Sequence, residues 1–150
     1  AVVGRGEIMD VLEPGSLSST YGGNPLSCAA ALKAIEILEK EGLVENASRV
    51  GEFMLRRFRE MQERYEILGD VRGMGLAIGL EIVRSQATKE PAPELAKQVV
   101  RGCFERGLAL IAPIGFYGNV LRVAPPLVIT EDQARWGLEV MEEVLQALSG

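Results

Sequence analysis

Histidine is absent from all 150 residues, and with it go the commonest general base and the commonest metal ligand. A Ser-His-Asp triad, a zinc hydrolase site and a Cys-His nucleophile are therefore excluded within this chain. Chemistry performed here has to use Lys, Arg, carboxylates, hydroxyls or a borrowed cofactor. Cysteine is scarce as well. Cys28 and Cys103 both fall in predicted helices beside alanine or valine, where a free thiol is expected to be buried as a small hydrophobe. No apolar run approaches the ~20 residues of a membrane span, and no charged-then-apolar leader opens the sequence. A cytoplasmic protein with no membrane partner is expected. Basic clusters are missing too, and the net charge of -5 argues against a nucleic-acid partner. What is present is ordinary for one globular core: 47% hydrophobic residues, too many for a disordered chain.

The opening Ala1-Val2-Val3-Gly4 reads as the end of a buried strand whose partners lie upstream, so the chain is expected to be a fragment of a larger protein. A short helix is predicted over 5–12, broken by Pro14-Gly15. The next helix starts near Pro25 and runs to about Glu41, with Leu32, Ile35 and Leu38 as an apolar stripe and Gly42 as its stop. A second follows at once, in which Leu43, Ala47, Val50, Met54, Phe58 and Met61 step by four, three, four, four and three, leaving Arg56, Arg57, Arg59 and Glu60 as a solvated face.

The period then changes over 66–72. Gly73-Met74-Gly75 is predicted as a tight turn into a strand from Leu76 to Val83, and its glycines do not match a dinucleotide fingerprint because a strand, not a helix, follows. Beyond a loop at 85–93 come a helix from about Glu94 to Glu105, two short strands at 108–112 and 119–123, and a last helix opened by a capping box at Thr130 and Gln133. The order predicts an α+β fold in which helices cover one face of a small antiparallel sheet.

Two places carry candidate chemistry. Ser18, Ser19, Thr20, Tyr21, Gly22 and Gly23 precede Asn24, a strong N-cap, and Pro25, suited to the first helical position. Hydroxyls, close backbone approach and the positive end of a helix dipole make an anion site. An ordinary Gly-rich turn with a polar cap is the alternative. The second place is Arg122, flanked by Leu121 and Val123 and followed by Pro125-Pro126. A guanidinium in apolar company needs a partner, and a carboxylate bound bidentately is the natural one. That carboxylate belongs either to a ligand or to an internal Asp or Glu; an edge-strand arginine reaching water is the remaining option.

Three stretches, STYGGNPLSCAAALKAIEILEKEGL, DVRGMGLAIGLE and GNVLRVAPPLVIT, occur in an order and at a spacing that resembles the C-terminal part of the class III pyridoxal-phosphate aminotransferases, the group with 4-aminobutyrate and ornithine aminotransferases. The resemblance implies a fold-type I enzyme using pyridoxal 5'-phosphate, working as a homodimer or dimer of dimers on amino-acid and 2-oxo-acid substrates. Residues 1–24 would end the large cofactor-binding domain, and 25–150 would be a linking helix and the small C-terminal domain. Thr20 matches the threonine that contacts the cofactor phosphate across the dimer interface, within a cofactor-binding turn that also holds Ser19, Tyr21 and Gly22. Arg122 matches the arginine that binds the substrate carboxylate. Leu17 stands near where many relatives have a histidine.

No lysine here matches the family's aldimine lysine, which is expected upstream of Ala1, so no catalytic residue is assigned in this chain and the chain alone is expected to be inactive. The same contacts would serve a racemase or epimerase of this fold. A non-catalytic interaction module derived from such an enzyme is the third reading.

Overall fold

A computed structural model describes residues 3–13, 15–16 and 19–149. Ala1, Val2, Pro14, Leu17 and Ser18 are outside the described residues, and with them the first half of the expected strand end, the proline break, the leucine departure and one of the three hydroxyls; Val3 and Gly4, the other half of that strand end, are exposed and outside any strand. The chain divides into two compact units, Ala1–Lys40 and Glu41–Gly150.

The first unit holds two helices, α1 (Gly6–Met9) and α2 (Pro25–Lys40). α1 is one turn, shorter than the 5–12 expected. α2 begins where its cap signals place it: the Asn24 side-chain oxygen accepts from the backbone N–H groups of Leu26 at 3.0 Å and Ser27 at 3.3 Å. None of its residues is buried. Cys28, expected to be buried, is therefore exposed.

In the second unit, α3 (Leu43–Arg64) buries the stripe its period specified, including Val50, Met54, Phe58 and Met61. Gly42, at φ 60°, supplies the left-handed turn that separates it from the preceding residues. Strands β1 (Leu68–Met74) and β2 (Ala77–Ile82) form an antiparallel hairpin, followed by α4 (Pro93–Glu105), β3 (Val120–Val123) and α5 (Glu131–Leu148). The sheet order is β1-β2-β3, antiparallel throughout. The Thr130 capping box is complete, with Gln133 N–H donating to the Thr130 hydroxyl at 3.2 Å and Thr130 N–H to the Gln133 side chain at 3.0 Å.

α3 packs on β1, β2 and α5, and α4 on α5, β2 and β3. The residues they cover alternate along the strands: Val71, Ile78, Leu80, Ile82, Leu121 and Val123 are buried. The other face carries Asp70, Arg72, Gly79, Glu81 and Arg122, none of them buried. This is the α+β architecture with helices on one side of a small sheet. Cys103 of α4 sits in the core, where burial pushes its thiol up to about 11 and leaves it a packing residue.

Two expectations need correction. The strand predicted at 108–112 does not form. Leu108 and Leu110 pack against the core, but the segment joins no ladder and makes only the flanking bridge between Ile114 and Val120. Pro113, which has no N–H, stands where pairing would have to continue. The hairpin turn also differs. β1 runs on through Met74, and the two connecting residues are Gly75 and Leu76, not 73–75. Gly75, at φ 55°, takes the left-handed conformation that such a turn demands.

Candidate functional site

The alternation of β3 decides where Arg122 points. Leu121 and Val123 turn into the core, so Arg122 is carried to the open face of the sheet. Apolar flanks therefore do not bury it: the guanidinium is exposed, and among the described residues it has no carboxylate within ion-pair distance. β3 is an edge strand, and Arg122 also lines a cleft of about 740 Å³ beside it. The cleft is otherwise uncharged, with Leu110, Pro125, Ile129 and the half-exposed Trp136 among its walls. An exposed guanidinium whose five donors are unclaimed by any acid among the described residues is suited to one carboxylate; the cleft itself lies on the helix-covered side of the sheet, walled by Met54, Phe58, Leu138 and Met141.

Beside it on the open face lies a cluster that the sequence reading passed over. Arg72 Nη1 donates to Asp70 Oδ2 at 2.5 Å and to Glu81 Oε2 at 3.2 Å. The Asp70 hydrogen bond chiefly holds the Arg72 guanidinium above its ordinary range, with desolvation opposing and Glu81 adding to it. The other oxygen of Glu81 faces Asn119 Nδ2 at 3.4 Å, and Asn119, only 2% exposed, is anchored by donating to the carbonyl of Ile82 at 2.9 Å. The signal was available: charged residues at 70, 72 and 81 alternate with apolar ones in two adjacent extended segments.

The other candidate residues lie in the first unit. Ser19, Thr20, Tyr21 and Gly22 form a turn in which Gly22 N–H donates to the Ser19 carbonyl at 3.1 Å and Asn24 N–H to the Tyr21 carbonyl at 3.2 Å. Gly23, at φ 75°, is a conformation that favours glycine. The hydroxyls of Ser19 and Thr20 are on exposed residues, and Tyr21 is 74% exposed. The first-turn N–H groups expected to be free are partly taken, since Asn24 accepts from Leu26 and Ser27. What this turn still offers an anion is the Thr20 and Ser19 hydroxyls and the helix dipole. No acidic residue in the first turn of α2 opposes it. That donor set fits a phosphate.

The sequence model described as "Aminotransferase class-III" matches residues 1–145. The chain belongs to the class III aminotransferase family. Over 145 residues it is 45% identical to the alanine/serine racemase of Pyrococcus horikoshii, covering 97% of this chain and 30% of that protein. Over 148 residues it is 38% identical to the 5-aminovalerate aminotransferase of Pseudomonas aeruginosa, covering 99% and 34%. A Bacillus anthracis aminotransferase crystal structure superposes with a TM-score of 0.79 at 34% identity, over 88% of this chain and 30% of that one. An amine transaminase from an uncultivated Pseudomonas species, in its PLP-bound form, superposes with a TM-score of 0.77 at 31% identity, over 91% and 30%. The chain thus spans about a third of the length of the curated relatives it matches. The class III family and that PLP-bound neighbour imply pyridoxal phosphate as cofactor. Among the described residues, no helix is long and apolar enough to cross a membrane.

Proposed function

We propose that this chain works as the C-terminal part of a pyridoxal-phosphate aminotransferase that moves an amino group from an amino acid, such as a 4-aminobutyrate- or ornithine-like donor, to a 2-oxo acid. In this reading residues 1–24 close the cofactor-binding domain and 25–150 supply the linking helix and the small domain. The enzyme works as a homodimer or dimer of dimers, and the lysine that carries the cofactor comes from outside this chain. The observation that carries the reading is Arg122, an exposed guanidinium on the open sheet face with no internal carboxylate among the described residues; the motif resemblance is what assigns it the role of the family's substrate arginine.

When bound, the cofactor would supply an electron sink for the carbon that bears the substrate's amino group. The chain's own residues bind and orient. The Thr20 hydroxyl donates to the cofactor phosphate, assisted by Ser19, and the positive end of α2 favours the negative charge there. Arg122 grips a substrate carboxylate with its planar fork and fixes the direction from which the substrate enters.

A second reading is favoured by particular relatives. Besides the alanine/serine racemase, a leucine/methionine racemase of Thermococcus litoralis is 43% identical to this chain. Racemisation would use the same phosphate and carboxylate contacts. Incubating the full-length enzyme with 15N-labelled L-amino acids, with and without 2-oxoglutarate, separates the two. Transfer of label to the 2-oxo acid supports the aminotransferase. Inversion at the α-carbon without label transfer selects the racemase, and neither reaction with any carboxylate-bearing amine contradicts both.

A further inference from the structure

Glu81 lies between two arginines and bonds to one. In the antiparallel register, Arg72 of β1 and Arg122 of β3 both stand opposite Gly79 of β2, on either side of it. Glu81, two residues further along β2, shares their face and is diagonal to both. Diagonal neighbours in a sheet are about 7–8 Å apart, within reach of long side chains. Glu81 nevertheless pairs with Arg72 at 3.2 Å, while Asn119 faces its second oxygen at 3.4 Å. Among the described residues Arg122 has no ion-pair partner. Asp70 stands directly opposite Glu81, an arrangement that places two like charges together; Arg72 bridges them.

We propose that Arg72 is a positioning residue that holds Glu81 away from Arg122, so that the Arg122 guanidinium stays open to a substrate carboxylate. The proposal rests on the reading of Arg122 given above. Without the Arg72 charge, Asp70 and Glu81 repel each other and the guanidinium left within reach of Glu81 is Arg122. The chain's own carboxylate then competes with the substrate's for the same fork.

The test uses the cofactor-loaded full-length enzyme and two readouts: the Kd of n-valerate, an unreactive carboxylate, by titration calorimetry, and KM and kcat for a carboxylate-bearing amino donor. Arg72→Met is expected to weaken valerate binding and raise KM about three- to tenfold, with kcat held within about twofold, because an internal ion pair now has to be displaced. Glu81→Gln alone is expected to bind valerate as the parent does. The double variant Arg72→Met/Glu81→Gln is expected to recover affinity to within about twofold, since the competing carboxylate is gone. Arg72→Gln makes the same comparison if the methionine variant fails to fold. An unchanged Kd in the Arg72 variants, or a double variant as weak as the single one, overturns the proposal. Arg122→Ala distinguishes that failure from the failure of the site: valerate affinity insensitive to Arg122→Ala overturns both, whereas affinity lost in Arg122→Ala but not recovered in the double variant overturns the role of Arg72 alone.

Discussion

Arg122 of β3 stands directly opposite Gly79 of β2, and beyond Gly79 stands Arg72 of β1. A Cβ at Gly79 would meet Arg72 Cγ and Val120 Cγ1 at 3.7 Å, ordinary contact, and its backbone is not left-handed. Packing therefore does not require glycine in this central strand. Gly79→Ala is expected to raise stability by about 0.5–1 kcal/mol through the unfolded chain's lost entropy, measured by urea unfolding. A loss of stability would contradict the ordinary contact that a Cβ would make with the Arg72 stem and Val120.

The same replacement on α3 has the opposite sign. A Cβ at Gly51 would meet the carbonyl oxygen of Gly75 at 2.1 Å and its carbon at 2.2 Å. Glycine to alanine inside a helix ordinarily gains about 1 kcal/mol. Here the hairpin turn's own backbone blocks the methyl group, and overpacking of this kind costs about 1–3 kcal/mol. Gly51→Ala is expected to lower the Tm, and a raised Tm would contradict the close approach of α3 to the β1–β2 turn.

What was legible in the sequence followed from strong local rules. The α3 stripe and the Thr130–Gln133 cap are periodic or contiguous signals: the cap reappears in full, and all the stripe residues but the partly buried Ala47 are buried, joined by Phe53 and Leu55, which the stripe did not include. The 108–112 segment is equally apolar, but a strand needs a partner, and whether one is available is a tertiary fact that no local pattern contains. The turn was expected at 73–75, one residue pair too early, because two glycines two positions apart carry the same local signal and only the strand register assigns which of them bends the chain.

The site divides the same way. Arg122 was visible through its flanks, yet its exposure followed from strand alternation and not from its apolar neighbours. The link among Arg72, Asp70 and Glu81 depends on register, since a slip of one residue would send one strand's charges to the other face. Asn24 was correctly read as a cap, and the consequence that it occupies donors otherwise open to a phosphate required the hydrogen bonds themselves.

With those donors occupied, the Thr20 hydroxyl carries more of the proposed phosphate contact. A hydrogen bond to a charged group is worth about 1.5–3 kcal/mol. Thr20→Val in the full-length enzyme is therefore expected to weaken pyridoxal-phosphate affinity about ten- to a hundredfold, while Thr20→Ser keeps the hydroxyl and loses little. Equilibrium dialysis of the cofactor checks this, and unchanged affinity in the valine variant would remove Thr20 from the site.

The most direct test of the central claim is kcat/KM of Arg122→Ala in the full-length enzyme, measured for an amino donor that carries a carboxylate and for an amine that does not. Losing the fork is expected to cost the carboxylate-bearing donor about 2–5 kcal/mol of transition-state stabilisation and the plain amine almost nothing. An equal fall for both donors, or no fall for the carboxylate-bearing one, would contradict the assignment of Arg122 to the substrate.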